Sequence, residues 1–207
     1  MPDSDKPFVS RGGDKLAAAL DAFGLSPAGW VCADFGANVG GFTDCLLRRG
    51  AAKVYAVDTG YGELAWALRR DPRVIVMERT NVLYAPGPEP VDLVVVDVAF
   101  TPQRLVLPAA RNWLRPGGRI VSLLKPHYEL AKLGPAFGGP DPLLPRGAIA
   151  PRAAGRSRPL MDEQAQEVCR RVCEELAEMG LAPSAVATSP LRGKGGNAEF
   201  LVWLSPK

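Results

Sequence analysis

The stretch Ala33–Leu47, "ADFGANVGGFTDCLL", decides the fold. Asp34 lies near the end of a short β-type run, "VCADF". Three glycines, Gly36, Gly40 and Gly41, follow at once, and the residues from Phe42 to Arg49 then carry helical period. A strand that delivers an acidic residue to a glycine-rich turn opening a helix is the ligand-binding corner of a doubly wound α/β sheet. There the crevice lies beyond the C-terminal ends of the strands. Gly36 permits the tight turn, and Gly40 and Gly41 let backbone N–H groups approach a ligand at the helix N-terminus.

Outward from this corner, β-rich runs and helical segments alternate. "KVYAVD" is followed by "ELAWALRR", "RVIVM" leads to "VDLVVVD", and a helix near Gln103–Leu114 is stopped by "RPGG" before "RIVSLLK". A long helix near Asp162–Met179 then precedes "SAVATS" and "EFLVWLS". Alternation of this kind predicts a mostly parallel sheet with helices on both faces. The last two strands are separated only by "PLRGKGGNA", too short for a helical crossover, so they form a hairpin. The expectation is therefore a doubly wound α/β sheet of seven strands with the last one antiparallel, in one domain spanning residues 1–207.

Bulk composition restricts the function. The 207 residues carry 25 Lys and Arg against 22 Asp and Glu, a net charge of +3 that permits a polyanionic partner without requiring one. Four cysteines form no C-x-x-C pair, and with one histidine no ordinary zinc site can be assembled, so reduced, buried thiols and no metal are expected. The N-terminal "MPDSDKPFVS" has no apolar signal segment and no run is long enough for a membrane helix, which makes the cytoplasm the expected compartment. Residues 131–160, rich in Pro and Gly, carry Lys132, Arg146, Arg152, Arg156 and Arg158 against a single acid, Asp141. This stretch reads as a long insertion, either a surface loop or a basic flap over a phosphate-bearing substrate. Arg192 and Lys194 of the hairpin loop are expected to join it on such a substrate.

The glycine loop runs D-x-G-x-x-x-G-G rather than the G-x-G-x-x-G of dinucleotide folds, and this wider spacing is associated with S-adenosylmethionine. Asp58, ending "VYAVD", can accept both ribose hydroxyls. Asn81 in "ERTN" sits where an adenine edge would lie, and a turn-forming asparagine explains it equally well.

A second set of charges converges on the same crevice. Asp97 follows "VDLVVV" and Lys125 follows "VSLL", each at the end of an apolar run. Because the last strand runs backwards, its beginning brings Glu199 to the same edge. Lys15 completes the group if the helix of "SRGGDKLAAAL" packs beside it. His127, beside Pro126, reads as a packing or surface residue, and Cys169 and Cys173, four apart on a helix, as structural.

The segments "VSRGGDKLAAAL", "GANVGGFTDCLLRRGAAKVYAVDTGYGEL", "RVIVMERTN", "VVVDVAF", "LLKPHYE" and "SPLRGKGGNAEFLVWL" resemble successive motifs of the TlyA-like (hemolysin A) branch of the FtsJ-like RNA methyltransferases. The resemblance covers nearly the whole chain apart from residues 131–160. It implies a Rossmann-like methyltransferase fold, S-adenosylmethionine as methyl donor, and 2′-O-methylation of ribosomal RNA through a Lys-Asp-Lys-Glu tetrad. By motif position that tetrad falls on Lys15, Asp97, Lys125 and Glu199. The cofactor set becomes Asp34, Gly36, Asn38, Gly40, Gly41, Phe42, Asp58, Asn81 and Asp97. TlyA-like proteins usually begin with an S4-type RNA-binding domain, whereas about ten residues precede the first motif here, so that domain is expected to be lacking. The family's "DVSFIS" is "DVAFTP" in this chain. Competing readings are a methyltransferase for a non-RNA acceptor and an RNA-binding pseudoenzyme. The tetrad argues against the first, because a hydroxyl nucleophile needs such groups more than an amine does, and its intact positions argue against the second.

Overall fold

The computed structural model describes residues 7–99, 101–130, 159–193 and 195–206. Apart from Pro159 and Leu160, the basic stretch 131–160 lies outside the described residues, as does Lys194.

Seven strands form one sheet in the order β3-β2-β1-β4-β5-β7-β6. They are β1 (Val31–Phe35), β2 (Lys53–Val57), β3 (Val74–Met77), β4 (Val91–Val96), β5 (Leu114–Leu124), β6 (Pro183–Thr188) and β7 (Phe200–Leu204). β1 pairs in parallel with both β2 and β4, whereas β7 runs antiparallel between β5 and β6, as the short hairpin loop requires. Among the described residues six helices accompany them: α1 (Arg11–Ala22), α2 (Gly41–Arg48), α3 (Trp66–Arg69), α4 (Gln103–Arg111), α5 (Pro126–Leu130) and α6 (Asp162–Glu178).

Strand periodicity divides the core. β4 is buried throughout, and its alternate residues serve opposite faces. Leu93 and Val95 pack with Leu16 and Leu20 of α1 and Leu46 of α2, while Val94 and Val96 pack with Val106 and Leu107 of α4 and Val172 and Leu176 of α6. Leu16 and Leu20 are fully buried, and each stabilises the docking of α1 by about 1.5–3 kcal/mol. A polar clamp adds to this: Asp44 of α2 accepts the Val9 N–H at 2.9 Å just ahead of α1. The N-terminal helix therefore has one seat, against α2.

Three local expectations need correction. The helix foreseen in "ELAWALRR" is one turn, Trp66–Arg69, because Leu64, Ala65 and Leu68 find apolar cover while Trp66 stays exposed. "RPGG" does not separate α4 from the following strand. It is an irregularity within β5, whose pairing with β4 jumps from Val91↔Leu114 to Leu93↔Arg119. A short helix, α5, follows Lys125 directly, where no helix was foreseen.

Candidate active site

The sheet order reverses between β1 and β4, and the crevice of the fold opens at that point. The two strand ends are stitched together by the Asp97 N–H donating to the Phe35 carbonyl at 2.9 Å. Gly36, at φ +87°, sits where an added Cβ would meet the Asp97 carbonyl oxygen at 2.6 Å. No other residue fits there, so this glycine allows the two loops to touch. A Cβ on Gly41 would strike Ser10 Oγ at 2.2 Å, so the start of α2 also accommodates the start of α1, which carries Lys15.

A cleft of about 730 Å3 occupies this edge. That lies within the roughly 300–1,000 Å3 typical of small-molecule sites. Of the expected cofactor residues, Gly36, Asn38, Gly41, Phe42, Asp58, Asn81 and Asp97 line it. Asp58 is held firmly, its Oδ2 accepting the Asn38 N–H at 2.9 Å and its Oδ1 the Gly60 N–H at 2.7 Å. Each oxygen keeps a lone pair for a further donor. Asn81 both lines the cleft and turns its own backbone, its Oδ1 accepting the Leu83 N–H at 3.0 Å. A fixed carboxylate beside apolar Val39, Phe42, Val82 and Val98 suits the ribose and adenine of an adenosine cofactor. On these grounds the residues present fit S-adenosylmethionine.

Asp34 and Gly40 do not line the cleft. Gly40 is the N-cap of α2. Asp34 is fully buried beneath the loop, where its Oδ2 accepts the Thr43 hydroxyl at 2.7 Å and its Oδ1 has no partner among the described residues. Burial pushes its carboxyl up to about 7 against the opposing pull of the Thr43 hydrogen bond, with Asp97 adding a smaller upward push. An unfolded aspartate titrates near 3.9, so the folded state holds this proton more tightly. The associated stability is complete below about pH 4 and is lost as pH rises to about 7. Asp34→Asn removes that dependence, and its Oδ1 can still accept from Thr43. Urea unfolding is expected to show the variant gaining on wild type between pH 5 and pH 8 by on the order of 1–4 kcal/mol, one pKa unit being about 1.4 kcal/mol. A constant difference across that range would place the ionised form in the fold.

The other charges meet in the same cleft as two ion pairs. Lys125 Nζ donates to Asp97 Oδ1, and Lys15 Nζ donates to Glu199 Oε2 at 2.5 Å. The second pair is buried, with side chains 9% and 4% exposed. Lys15, Asp97, Lys125 and Glu199 all line the cleft. The reversed β7 delivers Glu199 as its antiparallel pairing requires, and α1 delivers Lys15.

Ser10, Arg11, Thr59, Thr80, His127 and Tyr128 also line the cleft, although sequence reasoning missed them or read them otherwise. By sequence His127 reads as a packing or surface residue, yet α5 turns it into the cleft wall. Its Nδ1 is buried without a hydrogen-bond partner among the described residues, and burial holds the imidazole below its usual value while Glu199 pulls the other way. Arg192 has a partner of its own: its exposed guanidinium bonds Asp162 at 2.9 and 2.7 Å. Among the described residues no group of three or more His, Cys, Asp or Glu side chains is arranged to hold a metal ion, and no helix is long and apolar enough to cross a membrane.

Comparison with known proteins agrees with this geometry. The sequence model of the FtsJ-like methyltransferases matches residues 8–205. The chain is 42% identical to the 16S/23S rRNA (cytidine-2′-O)-methyltransferase TlyA of Mycobacterium tuberculosis, over 99% of this chain and 70% of that protein. It is 31% identical to the hemolysin A of Brachyspira hyodysenteriae, over 94% of this chain and 75% of that protein. A solved structure from Streptococcus thermophilus, of a protein named for hemolysin, superposes with a TM-score of 0.79 at 34% identity, covering 98% of this chain and 68% of that one. With a cofactor cleft at the switch point and a family match along almost its whole length, the chain belongs to the FtsJ-like methyltransferases.

Proposed function

We propose that the protein is an S-adenosylmethionine-dependent methyltransferase that modifies a ribose 2′-hydroxyl of ribosomal RNA, working as one methyltransferase domain in the cytoplasm. The observation that carries this reading is the meeting, in one cleft, of two lysine–carboxylate pairs with a fixed carboxylate, Asp58, and apolar side chains suited to an adenosine cofactor. The M. tuberculosis relative, named as a ribosomal RNA 2′-O-methyltransferase, supports the choice of acceptor.

When bound, S-adenosylmethionine supplies a methyl group on a positive sulfur, which leaves as a neutral thioether. Asp58 and the backbone of the Gly36–Gly41 loop would hold its adenosine half. Asp97, at the switch point, closes the other side of the cofactor pocket and anchors Lys125. A ribose hydroxyl is poorly acidic, so it reacts only when positioned and relieved of its proton as the oxygen–carbon bond forms. Lys125 is the group placed to orient that hydroxyl and, in its neutral form, to receive the proton. Lys15 and Glu199 line the cleft beside Lys125, since the antiparallel pairing of Leu124 with Phe200 sets Glu199 next to it, and the pair keeps that wall electrically balanced.

Alkaline hydrolysis tests the product, because a 2′-O-methyl group removes the nucleophile that cleaves RNA and leaves a gap in the ladder. Ribosomal RNA treated with protein and cofactor is expected to show such a gap, and methylation of bases alone would overturn the reading. For the cofactor, calorimetric titration is expected to show S-adenosylmethionine binding and no NAD binding. Asp58→Ala is expected to weaken S-adenosylmethionine by about 1.5–3 kcal/mol, the scale of hydrogen bonds to a charged group. Unchanged affinity removes Asp58 from the site.

A further inference from the structure

We propose that Glu129, acting through Gln103, is a positioning residue that holds the loops bearing Asp97 and Lys125 in their relative places for methyl transfer. This rests on the reading of those two residues given above.

Asp97 and Lys125 follow neighbouring strands, β4 and β5, but the loop and helix after Asp97 and the helix directly after Lys125 are not fixed by the sheet pairing. The Asp97 loop runs into α4, whose N-cap position is Pro102, a residue with no side-chain cap to offer. The orphan N–H of Gln103, the first helical residue, is satisfied from elsewhere: Glu129 Oε1 accepts it at 2.9 Å. Glu129 belongs to α5, the short helix that starts directly after Lys125, and the Lys125 carbonyl accepts the N–H groups of Tyr128 at 2.9 Å and Glu129 at 3.2 Å. One carboxylate therefore ties the helix after Asp97 to the turn after Lys125.

The Gln103 side chain closes the link from the other side. Its Oε1 accepts the Ser122 hydroxyl at 2.6 Å, and its Nε2 donates to the Leu123 carbonyl at 3.4 Å. Ser122 and Leu123 lie on β5 immediately ahead of Lys125. Gln103 thus grips the strand before Lys125 with its side chain and the helix after it with its backbone. Ser122, Gln103 and Glu129 are 0%, 3% and 5% exposed. A buried polar network of this kind is retained at a desolvation cost and is rigid only when fully satisfied. Nothing in the cleft lining includes Glu129, so its influence on the chemistry must pass through position.

Burial pushes the Glu129 carboxyl up to about 7, partly offset by the Gln103 hydrogen bond. Among the charged groups around it, Glu175 of α6 pushes upward and Arg104 of α4 pulls downward, and these two pair with each other at 3.7 Å. The ionised form favours the positive end of α4 and binds the Gln103 N–H more strongly than the neutral acid does. The clamp is accordingly tighter above about pH 7 and looser below it.

The test compares Glu129→Ala and Glu129→Gln with wild type, on the full chain, for turnover number, S-adenosylmethionine affinity and pH profile. Glu129→Ala is expected to lose about tenfold or more in turnover while the cofactor dissociation constant stays within about twofold. Glu129→Gln keeps an oxygen for the Gln103 N–H, so it is expected to restore turnover to within about threefold of wild type. It is also expected to lose the part of the turnover profile that falls on acidification through pH 7. Wild-type turnover in Glu129→Ala, or a Glu129→Gln profile superposable on wild type, overturns the proposal. So does a loss in Glu129→Ala that is matched by loss of cofactor affinity. If Glu129→Ala does not fold, the Glu129→Gln profile decides alone. Wild type is assayed alongside: transfer to an acceptor other than ribose overturns the ribose reading and leaves the Glu129 comparison to be read on that product, whereas no transfer at all overturns both.

Discussion

Lys125→Ala is expected to lower the rate of methyl transfer by roughly 10²–10⁴-fold, the range for a positioned acid–base group, while S-adenosylmethionine binds as before. The side chain lies in the cleft on Asp97 and makes no hydrogen bond to Asp58, whose oxygens are held by the Asn38 and Gly60 N–H groups. Its loss leaves the Asp97 carboxylate without its cation, but Asp97 is 26% exposed and water can reach it, so folding survives. The effect should fall on the chemical step. Lys125→Arg then separates the two roles of this lysine. An arginine keeps the charge and can orient a hydroxyl, but it does not give up its proton in proteins. Recovery of activity in Lys125→Arg assigns orientation, and its absence assigns proton removal. Single-turnover transfer scored by the alkaline ladder measures both. A gap of wild-type intensity from Lys125→Ala would sink the assignment.

Elements whose signal is local were legible in the sequence. "VDLVVV" reads as a strand covered on both faces because every residue is apolar or tolerates burial at a strand end, and β4 is buried throughout. The short loop "PLRGKGGNA" dictated the hairpin, the hairpin dictated the direction of β7, and that direction placed Glu199 at the cleft. What escaped depends on partners remote in sequence. Asp34 looks like a ligand-facing acid, yet its side chain turns to Thr43 of α2. Arg192 has a partner the sequence does not signal, Asp162, thirty residues earlier, which pairs with its guanidinium at the surface. The five residues of α5 are too few to carry a period, and without α5 neither the cleft position of His127 nor the cap supplied by Glu129 can be foreseen.

The second large effect concerns stability. Lys15 and Glu199 lie on elements far apart in the sequence, α1 and the start of β7, and their pair is almost completely buried. Taking two ions out of water is costly, and their mutual attraction offsets that cost only while both are present. Lys15→Met alone therefore strands a buried carboxylate, and Glu199→Met alone strands a buried ammonium. Each is expected to lower stability by about 3–5 kcal/mol, towards the smaller figure because the cleft admits water. Replacing both by methionine removes the stranded charge and restores apolar packing between α1 and β7, so the double variant is expected to regain most of the lost stability. Activity should not return with it. If the pair forms one wall of the reacting site, the double variant folds, binds S-adenosylmethionine and transfers methyl groups at a small fraction of the wild-type rate. Urea unfolding combined with the transfer assay separates the outcomes. A double variant that regains both stability and activity would show that Lys15 and Glu199 brace the fold without taking part in the chemistry. Single variants as stable as wild type would mean that the cleft already solvates the pair.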